Sequence, residues 1–209
     1  MRTLYHQVLA PSCRAVRIML GEKRLECQLE NAENEQETPV LIEENQALIS
    51  NALVIAEYLN ETYPDPDLFG HEPLVRVDVR RIGHYIVHDI DRAVTQPLLQ
   101  NKLYGNLRGT MASPNAIASA RVALTSFMQY LAMLDDTNNW LAGPSFSVVD
   151  IFAAAHISTL DFIGAIDWEQ HIAVQRWYRR VKSRRSLTGV LRDIVDGIDP
   201  PKHYADPDF

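Results

Sequence analysis

Ser12 and Cys13 stand directly after Pro11, in a place where thiol or hydroxyl chemistry could begin. Proline suits the first turn of a helix, because its missing N–H is not needed there. Ala15, Val16, Ile18, Met19 and Leu20 follow with helical spacing. Cys13 is therefore expected near a helix N-terminus, where the dipole favours a thiolate. Its alternative reading is a small buried apolar side chain. His84 and His88, four residues apart on an expected helix, have the spacing to hold a metal ion. No HExxH motif or third ligand accompanies them, so helix surface or interhelix packing explains them as well. His71, His156 and His171 are isolated. The chain has no P-loop, no GxGxxG after a strand and no GxSxG. Its two cysteines, Cys13 and Cys27, can form neither a CxxC motif nor a zinc quartet. A basic run, with Arg176, Arg179, Arg180, Lys182, Arg184 and Arg185, reads as a solvated helix face or as a docking surface for an acidic partner.

These residues need a framework to position them. The chain has 209 residues, 46% apolar and 22% charged, the composition of a globular protein of one domain or two modest ones. No run approaches the roughly 20 consecutive apolar residues of a spanning helix, so no membrane insertion is expected. The N-terminus has no apolar signal region, which implies reduced cysteines and a cytoplasmic protein. The net charge of −7 is concentrated in residues 1–70, which hold 5 basic and 12 acidic side chains. The remainder is balanced, with 15 of each. No nucleic acid partner is expected, because phosphate-backbone affinity comes mainly from Lys and Arg.

Alternation and punctuation predict four strands: residues 4–9, 25–29, 38–42 (opened by Pro39) and 47–49. The first helix begins at Pro11 and is expected to break at Gly21. Residues 30–37, with four glutamates, form an exposed connection. Asn51 is an N-cap for a helix carrying Ile55, Ala56 and Leu59. The order β-α-β then β-β-α is thioredoxin-like. Residues 1–63 form this domain, 64–71 a Pro- and Asp-rich linker, 72–198 an all-helical domain, and 199–209 a tail. Within the helical part, a long segment 75–103 could break near Pro97. Residues 115–134 form another helix. Ser147 and Asp150 make a capping box ahead of a very apolar helix, residues 151–163, expected at the centre of the second domain.

Several landmarks then fall in a telling order: Pro11-Ser12-Cys13-Arg14-Ala15-Val16-Arg17 after the first strand, Thr38-Pro39-Val40-Leu41 before the third, and Ala56-Glu57-Tyr58-Leu59 in what the resemblance below makes the third helix. Ser147-Val148-Val149-Asp150 and Trp177-Tyr178 followed by Ser183-Arg184-Arg185-Ser186 complete the series. The chain resembles the cytosolic glutathione S-transferase superfamily over nearly its whole length. That resemblance implies an α+β fold of a thioredoxin-like domain followed by a helical domain. It also implies a cis Pro39, with the Val40 backbone in the place that pairs with glutathione.

Against the family's pattern, the serine that activates the glutathione thiol is replaced by Ala10, leaving Ser12 and Cys13 as weak substitutes. Tyr5 lies inside the first strand. The acid and serine that take the γ-glutamyl carboxylate are replaced by Asn51 and Ala52. Catalysis and glutathione binding, and with it any cofactor, are therefore not expected. The tail Pro200-Pro201-Lys202-His203-Tyr204-Ala205-Asp206-Pro207-Asp208-Phe209 resembles that of the FtsZ-binding members of the superfamily. This second resemblance implies a homodimeric scaffold that binds FtsZ filaments at the division site, with Tyr204, Asp206, Asp208 and Phe209 as partner-binding residues. The alternatives are a divergent glutathione transferase and, for the tail, packing on its own helical domain through Tyr204 and Phe209.

Overall fold

A computed structural model describes residues 1–32, 38–107 and 113–209. Strands β1 (Thr3–His6), β2 (Gln28–Asn31), β3 (Val40–Ile42) and β4 (Leu48–Ser50) form one sheet in the order β2-β1-β3-β4. The β1–β2 pair is parallel, because helix α1 (Pro11–Glu22) crosses between them, and the other pairs are antiparallel. β1 alternates, with Leu4 and His6 buried and Tyr5 on the half-buried opposite face. Helix α2 (Ala52–Thr62) closes this first domain. The second strand begins three residues later than its alternation suggested, since Leu25 leaves α1 in a turn bonded to Leu20. Residues 33–37 of the expected acidic connection lie outside the described residues.

Gly21 does not end α1. The helix runs on to Glu22, and Arg24 takes the left-handed conformation (φ 56°). Gly21 serves a close approach instead: a Cβ there would stand 3.0 Å from Ser186 Cα, across the seam between the two domains. The missing side chain is needed by a tertiary contact rather than by a turn.

Among its described residues, the regular elements of the second domain are helices. A continuous path runs through α3 (Pro73–His84), a π-helical segment (Tyr85–Thr95) and α4 (Gln96–Leu107). The chain does not break at Pro97. The Gln96 N–H bonds to the Asp91 carbonyl five residues back, so the wide pitch reaches Pro97, which has no donor to place. After α5 (Pro114–Thr137) comes α6 (Val148–Phe162), all fifteen residues of which are buried. By length and composition alone α5 could cross a bilayer. Ala120, Leu124, Phe127, Met128, Leu131 and Leu134 are its buried positions. Helices α7 (Ile172–Lys182) and α8 (Thr188–Leu191) and the tail complete the domain.

The capping box holds. Ser147 Oγ accepts from the Val149 N–H (3.2 Å), and Asp150 accepts from the Ser147 N–H (3.0 Å). Asp150 also takes the Leu141 N–H (3.1 Å) and the Trp177 indole N–H (3.0 Å), which ties α7 to the start of α6. Burial pushes the Asp150 carboxyl up, and these hydrogen bonds oppose the rise.

Candidate functional site

Strand register brings the candidate site residues together. Val40 pairs with Tyr5 on one side and Ser50 on the other. The start of α1, the Thr38–Pro39 bond and the start of α2 therefore share one end of the sheet. The Thr38–Pro39 peptide is cis, as the resemblance implied. Ala10 is the N-cap residue of α1. Its backbone accepts the Arg14 N–H at 3.0 Å, but its methyl caps nothing. Ser12 is half-buried in the first turn. Cys13 is fully buried, with its sulfur accepting the Gln7 N–H at 3.4 Å. Burial pushes the Cys13 thiol up, against hydrogen bonds from the Gln7 amide and the Thr38 and Ser12 hydroxyls. The helix dipole thus does not win at Cys13, and the apolar reading of this residue fits its surroundings.

At the other half of the site Asn51 caps α2, and its side chain accepts the Leu53 N–H at 2.9 Å. Helix N-terminal amides are the natural seat of a carboxylate. Here one of them is already taken by the protein's own side chain. Ala52 is buried and offers no hydroxyl. Pro39 is buried and Val40 half-buried. This end of the sheet thus combines a cis Thr38–Pro39 bond and two helix starts with no hydroxyl at Ala10 or Ala52 and no acid at Asn51.

The remaining expectations sort differently. His84 and His88 are exposed with ring centroids 4.4 Å apart, and among the described residues no group of three His, Cys, Asp or Glu could hold a metal. His156 lies inside α6, bonded to the Thr95 hydroxyl at 2.8 Å, and burial pushes it down to about 3. The basic run is not one solvated face. Lys182 is buried, with its ammonium 4.0 Å from the Phe209 ring centroid and pushed down to about 8 by burial. Arg184 grips Glu22 through two bonds of 2.7 Å, and Arg180 pairs with Asp135. Arg176 and Arg185 are the exposed members without a described ion pair. Most of the run fastens elements together.

The tail is packed. Tyr204 is 1% exposed, with its ring edge-on to Phe162 at 5.1 Å, so its side chain presents no surface to a partner. Phe209 is half-buried among Trp168, Tyr178 and His203, and its backbone oxygen accepts from Gln175 (3.2 Å) and Arg179. His203 Nε2 lies 2.8 Å from Asp161 Oδ1. Between these anchors Asp206 and Asp208 are exposed, held in a turn by the Asp208 N–H donating to Asp206 Oδ1 (2.8 Å). In the sequence Arg14 stands only as one residue of the Pro11–Arg17 motif. It is fully buried. The signal was available: it sits between Cys13 and Ala15 on the apolar side of α1.

Comparison with known proteins agrees with the fold. The family described as "Glutathione S-transferase, C-terminal domain" matches residues 74–180. The chain is 35% identical to FtsZ-localized protein A of Caulobacter vibrioides, over 100% of this chain and 98% of that protein. A solved structure of FzlA from C. crescentus superposes with a TM-score of 0.94 at 33% identity, covering 100% and 99% of the two chains. A glutathione S-transferase structure from Rhodospirillum rubrum superposes with a TM-score of 0.95 at 36% identity, covering both chains fully.

Proposed function

Because the chain belongs to the glutathione S-transferase superfamily, among the relatives of FtsZ-localized protein A, we propose that it is a non-enzymatic scaffold that binds FtsZ filaments and regulates bacterial cell division. The full-length 35% identity to FtsZ-localized protein A carries this reading. The replaced ligand side chains Ala10 and Ala52, and the self-capped Asn51, support it, since each removes a contact a glutathione enzyme needs. In this reading glutathione is neither ligand nor cofactor, and the protein works in the cytoplasm at the division site, without nucleic acid or membrane insertion. Its partner surface includes the exposed acids Asp206 and Asp208 and the open side of Phe209.

The scaffold is a homodimer. Leu74 and Val77 on α3 are exposed, Leu74 by 80%, as are Val54 on α2 and Leu48 on β4. Glu57 and Arg80 join α2 to α3 through bonds of 2.6 and 3.0 Å, one turn from Val54 and Val77 respectively. An apolar strip crossing both domains suits a second copy. Exposed Val122 and Met133 give α5 an apolar outer side of the same kind.

Co-sedimentation with polymerised FtsZ tests the proposal, with retention on glutathione resin measured in parallel. Sedimentation without retention is expected. Retention without sedimentation overturns the reading in favour of glutathione conjugation through Ser12 or Cys13. Similarity to the R. rubrum protein, called a glutathione S-transferase, favours that second reading.

A further inference from the structure

The guanidinium of Arg14 is a junction of four chain segments. Its Nε donates to the Val8 carbonyl at 2.9 Å, in the loop before α1. One terminal nitrogen donates to Ser158 Oγ of α6 (3.0 Å) and to the Tyr204 hydroxyl (3.1 Å). The other meets Asp193 Oδ2 at 3.2 Å, in the loop after α8. The cation also lies over the Phe162 ring, 5.5 Å from its centroid. Arg17 binds the same Asp193 carboxylate at 2.7 and 2.9 Å, so the carboxylate is shared by two cations. A buried charge is tolerated only when its donors are used, and here the first domain uses them to hold the tail.

Tyr204 transmits that hold. Its hydroxyl accepts from Arg14 and donates to the Val190 carbonyl at 3.2 Å. One residue earlier, the His203 carbonyl accepts the Lys182 ammonium (3.1 Å) and the Asp206 N–H (3.1 Å). The exposed turn Asp206–Asp208 therefore hangs between two fixed points, the Arg14–Tyr204 contact and the Phe209 wedge. Acidic side chains on a loose tail would have to be ordered at the moment of binding, and a turn already held avoids that loss.

We propose that Arg14 is a positioning residue for partner recognition: through the Tyr204 hydroxyl it fixes the acidic turn Asp206–Asp208, so filament engagement depends on a side chain of the first domain that touches no partner. The inference rests on the reading that the tail contacts FtsZ.

Tyr204→Phe tests it with little risk to folding, because the ring and its packing remain and only the hydroxyl is lost. Arg14→Lys, which keeps the charge but not the fork, is the second variant, and Asp206→Lys is the reference for the acidic surface. Each full-length protein is measured by amide hydrogen exchange over residues 203–209 and by co-sedimentation with polymerised FtsZ. Losing one net hydrogen bond should speed exchange of the tail amides and weaken filament binding in Tyr204→Phe by about three- to tenfold each. Arg14→Lys should do at least as much in both. If Asp206→Lys weakens binding while Tyr204→Phe changes neither exchange nor affinity, the positioning role is wrong and the tail surface stands. Unchanged binding in Asp206→Lys as well removes the tail from the partner surface and the positioning role with it.

Discussion

Ala10→Ser separates the two losses at the degenerate site. Ala10 already has extended backbone (φ −71°, ψ 120°), and its carbonyl takes the first helical bond, so only the capping side chain is missing. With Pro11 at the first helical position, the N–H groups of Ser12 and Cys13 are the donors a serine oxygen could accept. Supplying an N-cap serine in place of alanine is commonly worth about 1 kcal/mol. For a chain of this size that corresponds to roughly 2–4 °C in melting temperature. The same hydroxyl restores the thiol-activating position of the family, a kind of group commonly worth about 10²–10⁴-fold in rate. Conjugation should nevertheless stay at the uncatalysed level, because Asn51 still occupies the Leu53 amide and Ala52 still lacks a hydroxyl. Thermal unfolding and thiol conjugation to an aromatic electrophile, measured on the same preparation, read both effects. A lowered melting temperature would mean that Ala10 is not a vacant cap. Robust glutathione turnover in Ala10→Ser would refute the argument that the start of α2 has lost its ligand.

Leu74→Glu combined with Val77→Glu should convert a dimer to a monomer by analytical ultracentrifugation, with helical circular dichroism unchanged; a dimer mass in the double variant moves the interface elsewhere. Asp150→Ala should cost at least about 3 kcal/mol, because it strands the Leu141 and Ser147 amides and the Trp177 indole, with Asp150→Asn between it and the wild type in chemical denaturation. Equal stability of the Ala and Asn variants contradicts the hydrogen-bond account. His156 is held at about 3, below the ordinary histidine value, so the unfolded chain binds the extra proton and stability is lost as pH falls from about 6.5 toward 3. The slope from this group alone is up to about 1.4 kcal/mol per pH unit. Burial pushes the Asp150 and Asp161 carboxyls up, which acts in the opposite sense, but equally in both proteins compared. His156→Gln should therefore show a flatter loss between pH 6 and pH 4, and parallel curves would exclude His156 as the source.

Local signals carried much of the architecture. Pro11, Asn51 and the Ser147–Asp150 box mark helix starts by stereochemistry that needs no distant partner, and all three begin helices in the structure. An unbroken apolar pattern put α6 in the core for the same reason. What stayed hidden depended on contacts far apart in sequence. Gly21 reads as a stop until Ser186 is beside it, and Arg184 reads as a surface cation until Glu22 accepts it. The π-helical segment has no periodicity of its own that distinguishes it from an ordinary helix over so short a span. At the ligand site the substitutions were legible residue by residue, whereas the occupation of the Leu53 amide by Asn51 required coordinates. In the tail the sequence left surface and packing as alternatives. The structure divides them, with Tyr204 inside and Asp206 and Asp208 outside.

The seam where Gly21 meets Ser186 has a consequence for how the molecule comes apart. Thr159 donates to the Leu9 carbonyl, Ser186 and Arg184 converge on Glu22, and Arg14 and Arg17 share Asp193, so α1 is bonded along its length to the far half of the chain. Thermodynamically α1 belongs to both domains. A cut at the exposed Pro64–Asp65 step would divide the chain just ahead of the buried Leu68 and Phe69, yet neither product would keep the surroundings of its own buried groups. The fragment with α1 would keep only the Val8 carbonyl of the Arg14 partners and lose Ser158, Tyr204 and Asp193, and the fragment with α6 would lose the wall behind Ser158 and Thr159. The two architectural domains are accordingly expected to unfold as a single cooperative unit, with one transition in scanning calorimetry and two separate transitions as the contrary result.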